Sequence, residues 1–227
     1  WERDSEPLID KVRHELDVDT LIIRSSAMSE DTSITSNAGA YATVMGVDGS
    51  DRAQIADAVE AVRASYGSAG QPGDQVLVQP QLLDGRLSGV VFTRDLTTLG
   101  PYRVFNYDPQ SHDTDAVTSG RGTGLETYVR LRGATQPYPS KAIRAVFEAV
   151  EEVEALLGTD RLEIELALDG AGQVCVFQAR PLVMNPDAVD APEQEEVADY
   201  LQKVAKKIEK LARPHPHLHG ARSVFGV

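Results

Sequence analysis

The chain has 227 residues, 41% hydrophobic and 25% charged, enough for one large globular domain or two small ones with a real core. Its net charge of −13 argues against a nucleic-acid backbone as partner, although nucleotides that arrive with Mg²⁺ need only a few local cations. A single cysteine, Cys175, leaves no internal disulfide framework or cysteine-rich metal site, which makes a reducing, cytoplasmic setting the default. No apolar run approaches membrane-spanning length, and no basic-then-apolar signal opens the chain. The sequence opens at Trp1 and closes at Ser223-Val-Phe-Gly-Val227 without a charged tail, so a piece of a longer polypeptide is expected.

In chain order, Leu8, Ile9, Val12 and Leu16 at helical spacing predict a short amphipathic helix before Asp17. Thr20-Leu-Ile-Ile23 reads as a compact strand that delivers Arg24 at its end. Residues 25–40 are dense in Ser, Thr, Asn, Asp and Gly, which is loop composition. Tyr41 to Val47 reads as a strand, and Asp51 to Tyr66 as a helix with Ile55, Val59, Val62 and Tyr66 on one face, capped by Ser50 or Asp51. Strands are expected over 75–80, 87–93, 102–107 and 126–131, with a polar loop over 109–124. Ile143, Val146, Val150, Val153 and Leu157 form the clearest helical stripe, with Ser140 placed to cap it and Gly158 to end it. A linker is expected over 181–192, and a final amphipathic helix over 193–212 carries acids in its first turn and lysine in its last. Antiparallel-looking strands mixed with helices favour an α+β chain over a doubly wound sheet.

Two stretches carry chemistry. Leu162, Ile164, Leu166 and Leu168 alternate with Glu163, Glu165 and Ala167, and Asp169-Gly-Ala-Gly172 turns the chain into a second strand, 174–180. A four-residue loop would set Leu168 opposite Gln173, Glu165 opposite Val176 and Glu163 opposite Gln178, so that two carboxylates and a carboxamide share a face. Oxygen ligands of that kind suit Mg²⁺, and Arg180 on the same face could hold a phosphate. A half-buried hairpin with its glutamates turned to water has the same pattern. The other stretch, Arg24-Ser-Ser-Ala-Met-Ser-Glu-Asp31 followed by Ser36-Asn-Ala-Gly39 and Thr43, combines a guanidinium fork, hydroxyls and a glycine turn. A surface loop with an ordinary Arg–Glu pair fits it equally. No Walker-type or dinucleotide glycine pattern is present.

The ordered blocks R-S-S-x-x-x-E-D, S-x-A-G-x-x-x-T, V-x-V-Q, S-G-V-x-F-T and E-I-E…F-Q-A-R-P, from about Thr20 to Leu182, resemble the ATP-grasp nucleotide-binding domain of the pyruvate phosphate dikinase and phosphoenolpyruvate synthase family. Asn106-Tyr-Asp108, Asp115-Ala-Val-Thr-Ser-Gly120 and the ending Ser223–Val227 are most similar, within that family, to the L-glutamine kinases of capsule biosynthesis. The resemblance implies an α+β, ATP-grasp-like domain fragment over 1–184 with mixed or antiparallel sheets and flanking helices. It leaves 185–192 as linker and 193–227 as a helix beginning the next domain.

Carried over residue by residue, the resemblance puts a phosphate-binding arginine at Arg24, glycine-loop contacts at Gly39 and Thr43, and an adenine-side glutamine at Gln79. It puts the metal and phosphate residues at Glu163, Glu165, Gln178 and Arg180; the first acidic position is more often Asp in the family. Arg24, Glu165, Gln178 and Arg180 would then serve the reaction itself. ATP and Mg²⁺ are the implied cofactors. The implied partners are a swivelling phosphohistidine domain of the same polypeptide and a small acceptor, L-glutamine before pyruvate or an antibiotic hydroxyl. A glycine–lysine segment that touches the ATP phosphates should precede Arg24 by more residues than this chain has. A nucleotide-binding module without turnover is the rival from another class. His215, His217 and His219, interleaved with Pro past a helix end, read as linker rather than as the phosphorylated histidine or a metal cluster, and His112 as surface.

Overall fold

A computed structural model describes residues 5–27, 41–109, 124–182 and 194–213. The expected glycine-loop residue Gly39, the polar loop over 110–123 with His112, the linker 185–192 and the histidines 215, 217 and 219 lie outside them. The described chain is α+β, and every strand pair in it is antiparallel.

The first half builds a three-stranded sheet of β1 (Thr20–Ser26), β2 (Thr43–Asp48) and β3 (Gln75–Pro80), with β1 in the centre. β1 alternates, so Leu21 and Ile23 turn inward with Val47 to meet Ile9 of α1 (Ser5–Leu16) and Ile55, Val59 and Val62 of α2 (Arg52–Ser65). Arg24 sits within β1 rather than after it, because pairing with β3 continues to Ser26. Asp51, not Ser50, caps α2, its side chain accepting from the N–H groups of Ala53 and Gln54. Tyr66, just beyond α2, accepts from Ser26 N at 3.1 Å and donates to Gln75 O at 2.5 Å, which fastens the ends of β1 and β3 beside Arg24.

The second half builds a five-stranded sheet from β4 (Leu87–Phe92), β5 (Tyr102–Asp108), β6 (Glu126–Leu131), β7 (Leu162–Leu168) and β8 (Val174–Pro181), in the order β6-β5-β4-β7-β8. One face is covered by α3 (Lys141–Leu157), whose Ile143, Val146, Phe147 and Val150 pack on Val91, Phe105, Ile164 and Leu166. α3 begins where Ser140 Oγ accepts from Ile143 N and stops where Gly158 takes the left-handed φ of 65°. The last helix, α4 (Gln194–Ala212), packs on neither sheet.

Charge is buried at one end of this sheet. Glu154 of α3 accepts from Arg103 Nη2 at 2.6 Å and from Arg132 Nη1 at 2.6 Å, and Arg103 also donates to Glu151 at 2.5 Å. The Glu154 side chain is 8% exposed and that of Glu151 52%. Glu154→Ala leaves two poorly hydrated guanidiniums short of a partner and should cost about 3–5 kcal/mol. Glu151→Ala, at a wet rim, should cost about 0–1 kcal/mol. Urea unfolding of the two variants measures the contrast, and equal losses would mean that water reaches Glu154.

Candidate functional site

The expected hairpin forms, but in another register. Its loop has three residues, 170–172: Asp169 N donates to Gln173 O at 3.0 Å, and Gly172 holds φ at 83°. Leu168 therefore faces Val174, not Gln173, and Leu166 faces Val176. Between Glu165 and Leu166 the register shifts, leaving Phe177 as an extra residue in β8. Beyond this bulge Glu165 faces Gln178, not Val176, and Glu163 faces Arg180, not Gln178.

The bulge decides which side chains meet. Had the register near the turn continued, Glu165 would face Phe177 and Glu163 would face Ala179, with Gln178 and Arg180 turned toward α3. The extra residue restores the alternation that places Glu163, Glu165, Gln178 and Arg180 together on the face opposite α3. Arg180 Nη2 donates to Glu163 Oε1 at 2.5 Å, and these side chains are only 9% and 15% exposed. The expectation that Arg180 lies on this face is met, with its guanidinium already engaged by a carboxylate.

The same face extends across the sheet. The row through Glu165 runs Thr127, Asn106, Val90, Glu165, Gln178, and the next runs Val129, Val104, Phe92, Glu163, Arg180. Thr127 Oγ1 donates to Asn106 Oδ1 at 2.7 Å. Sequence reasoning did not place Asn106 and Thr127 on this surface. The available signal was their alternation with Phe105, Tyr107 and Tyr128, but a row across five strands needs the register of every pair.

The three-stranded sheet contributes from its own open face. Arg24 is directly opposite both Thr43 and Leu77, and Ile22 is opposite Gln79, so Arg24, Thr43 and Gln79 share a surface turned away from α1 and α2. Thr43 is exposed, and Arg24 and Gln79 are half-buried. A hydrogen bond joins the two sheets here: Arg24 Nη2 donates to Gln178 Oε1 at 3.0 Å. Residues far apart in sequence, and held by separate cores, thus meet at one place.

The donors are hard oxygens. Arg180 binds Glu163 through Oε1. Gln178 presents its amide oxygen, which accepts from Arg24. With Glu165 the set comprises two carboxylates and a carbonyl, which fits Mg²⁺, an ion that takes one or two carboxylates and completes its shell with water and phosphate oxygens. Among the described residues no group of three or more His, Cys, Asp and Glu side chains is arranged to hold a metal. Among the described residues Arg24 and Arg180 lie beside Glu163 and Glu165.

No protein-family model matches this chain, and no curated protein does. Among solved structures it is similar to D-alanyl-alanine synthetase A from Vibrio cholerae O1 biovar eltor, with 13% identity over 89% of this chain and 56% of that one, at a TM-score of 0.40. It is also similar to the D-alanine-D-alanine ligase from Coxiella burnetii, with 10% identity over 91% of this chain and 52% of that one, at a TM-score of 0.44. The chain spans just over half the length of each ligase.

The Glu163–Arg180 contact is testable by itself. Glu163→Ala and Arg180→Ala should each destabilise the fold, and the double variant should lose less than the sum, with a coupling of about 1–3 kcal/mol. Additive losses in a urea double-mutant cycle would show that the pair is not a unit.

Proposed function

We propose that this chain is the nucleotide-binding part of an ATP-dependent phosphotransferase, with ATP and Mg²⁺ held between its two sheets. The observation that carries the reading is the Arg24–Gln178 hydrogen bond, which brings Arg24 of β1 in one sheet against the carboxylate-bearing hairpin of the other. The order of motifs along the sequence supports the ATP-grasp type of site.

In this reading Arg24 and Arg180 grip phosphate oxygens through their planar forks. Gln79 and Thr43, on the open face of the three-stranded sheet, orient the nucleoside side and the phosphate tail, and the resemblance assigns Gly39 a further contact. Glu163, Glu165 and Gln178 would hold Mg²⁺, which when bound neutralises phosphate charge. Phosphate binding then competes for Arg180 with Glu163, freeing that carboxylate as the negative phosphates arrive. The chain's own contribution is positioning and fixed charge rather than covalent chemistry, as phosphoryl transfer requires.

The finer reading follows the resemblance. A phosphoryl or pyrophosphoryl group passes from ATP to a histidine on a swivelling domain of the same polypeptide, then to the side-chain amide of L-glutamine. Overall, ATP, L-glutamine and water become AMP, phosphate and phosphoglutamine. The domain plan in this reading is 1–184 for the nucleotide, 185–192 as linker and 193–227 leading into the next domain.

The test uses the full-length protein. Arg24→Ala should weaken ATP binding by about 1.5–3 kcal/mol, the worth of charge-assisted hydrogen bonds, and by more than Arg24→Lys, which keeps the charge but loses the fork. Adenosine should bind both variants and wild type alike. Calorimetric titration decides: an equal loss for adenosine and ATP makes Arg24 a structural residue and ends the phosphate reading. Glu165→Gln should abolish Mg²⁺-dependent phosphorylation while leaving the unfolding midpoint in place, because the side chain points away from the α3 core. Wild-type turnover in that variant would sink the metal assignment.

A further inference from the structure

α4 is built to be covered, yet neither sheet covers it. Val197, Leu201, Val204, Ile208 and Leu211 recur alternately four and three residues apart, the 3.5-residue repeat of a coiled-coil seam. Leu201, Val204 and Ile208 are 44%, 48% and 47% exposed, and Tyr200 beside them 64%. Ala198 and Ala205 flank the seam and let a second helix approach closely.

Charge along the helix selects the occupant. Glu195, Glu196 and Asp199 fill the N-terminal half, whereas Lys203, Lys206, Lys207 and Lys210, with only Glu209 against them, fill the C-terminal half. A parallel copy would set acid beside acid, base beside base and the two macrodipoles in line. An antiparallel copy sets each acidic half against a basic one and opposes the dipoles. Centred between Gln202 and Lys203, that arrangement stacks Val197 on Ile208 of the partner subunit and Leu201 on Val204 of the partner subunit, each layer occurring twice. Lys207 of the partner subunit then lies by the ring of Tyr200, a cation–π pairing.

We propose that α4 is a self-association helix that pairs antiparallel with α4 of a second copy of this chain, independently of the nucleotide site. The seam is far shorter than an interface with about 20–30 residues a side, so the dimer is weak and depends on concentration.

Sedimentation of the 227-residue chain over a range of concentrations should show a monomer–dimer equilibrium that weakens with added salt. Leu201→Glu with Ile208→Glu should remain monomeric throughout, while the urea midpoint of the two sheets stays unchanged because α4 packs on neither. Spin labels placed singly at Gln202 or Lys210, in a Cys175→Ser background, report direction. An antiparallel pair holds the Lys210 labels roughly 21 Å further apart along the axis than the Gln202 labels. A parallel pair gives similar separations at both positions. Monomer at every concentration, a dimer that survives the double glutamate variant, or matching label distances would each overturn the proposal.

Discussion

Side chains on a strand alternate between faces, so a hairpin can present four polar groups on one surface only if its register has the right parity over its whole length. In β7 and β8 the tight turn at 170–172 sets a parity that would have turned Gln178 and Arg180 into the α3 core, and Phe177 corrects it by adding one residue to one strand. The polar cluster on β7 and β8 depends on that correction. It brings Glu163 to Arg180, sets Glu165 beside Gln178, and leaves Gln178 placed to receive Arg24 from the other sheet. A bulge also bends the strand that carries it, which suits a strand that must meet a neighbour in the other sheet.

The ground on either side of this meeting point differs in how it is held. Beneath Arg24 lies an apolar core closed by α1 and α2, with the Tyr66 hydroxyl joining the ends of β1 and β3. Near Glu163, the end of the five-stranded sheet is locked by polar contacts. Thr93 Oγ1 donates to Asp160 O at 2.6 Å and accepts from Leu162 N at 2.7 Å. Arg94 donates to the Asp160 carboxylate, and Arg132 and Arg103 converge on Glu154. Burial works against ionisation of Asp160, but the Arg94 hydrogen bond and the surrounding guanidiniums outweigh it and hold its pKa below the usual carboxylate value. Fixed groups of this kind spare an electrostatic site the cost of reorganising when a charged ligand arrives.

Opposite charges meet at this point. Among the described residues two guanidiniums and two carboxylates lie there. In the proposed function a polyphosphate with its metal would take the arginines with one part and the carboxylates with the other. The overall charge of −13 is compatible with such a ligand in that proposal, because recognition would depend on local pairing.

Much of the local structure was legible in the residues themselves. The α3 stripe from Ile143 to Leu157, its Ser140 cap and its Gly158 stop were all readable because helix periodicity and capping are short-range. Strands β3 and β6 were readable to the residue, and the alternation of Leu162 to Leu168 with Glu163 and Glu165 showed which side of β7 is polar. Arg24 was misplaced to a strand end because its extension to Ser26 comes from pairing with β3, at a distance in sequence. The register of β8 was beyond reach for a related reason: a bulge costs one residue anywhere along a strand, and only the packing of Ile164 and Leu166 under α3 selects the place. Composition and periodicity determined which side chains this protein holds ready on each strand. Tertiary structure alone decided that Arg24 and Gln178 touch, because a contact between residues on separate sheets is set by how two cores stack and leaves no trace in local sequence.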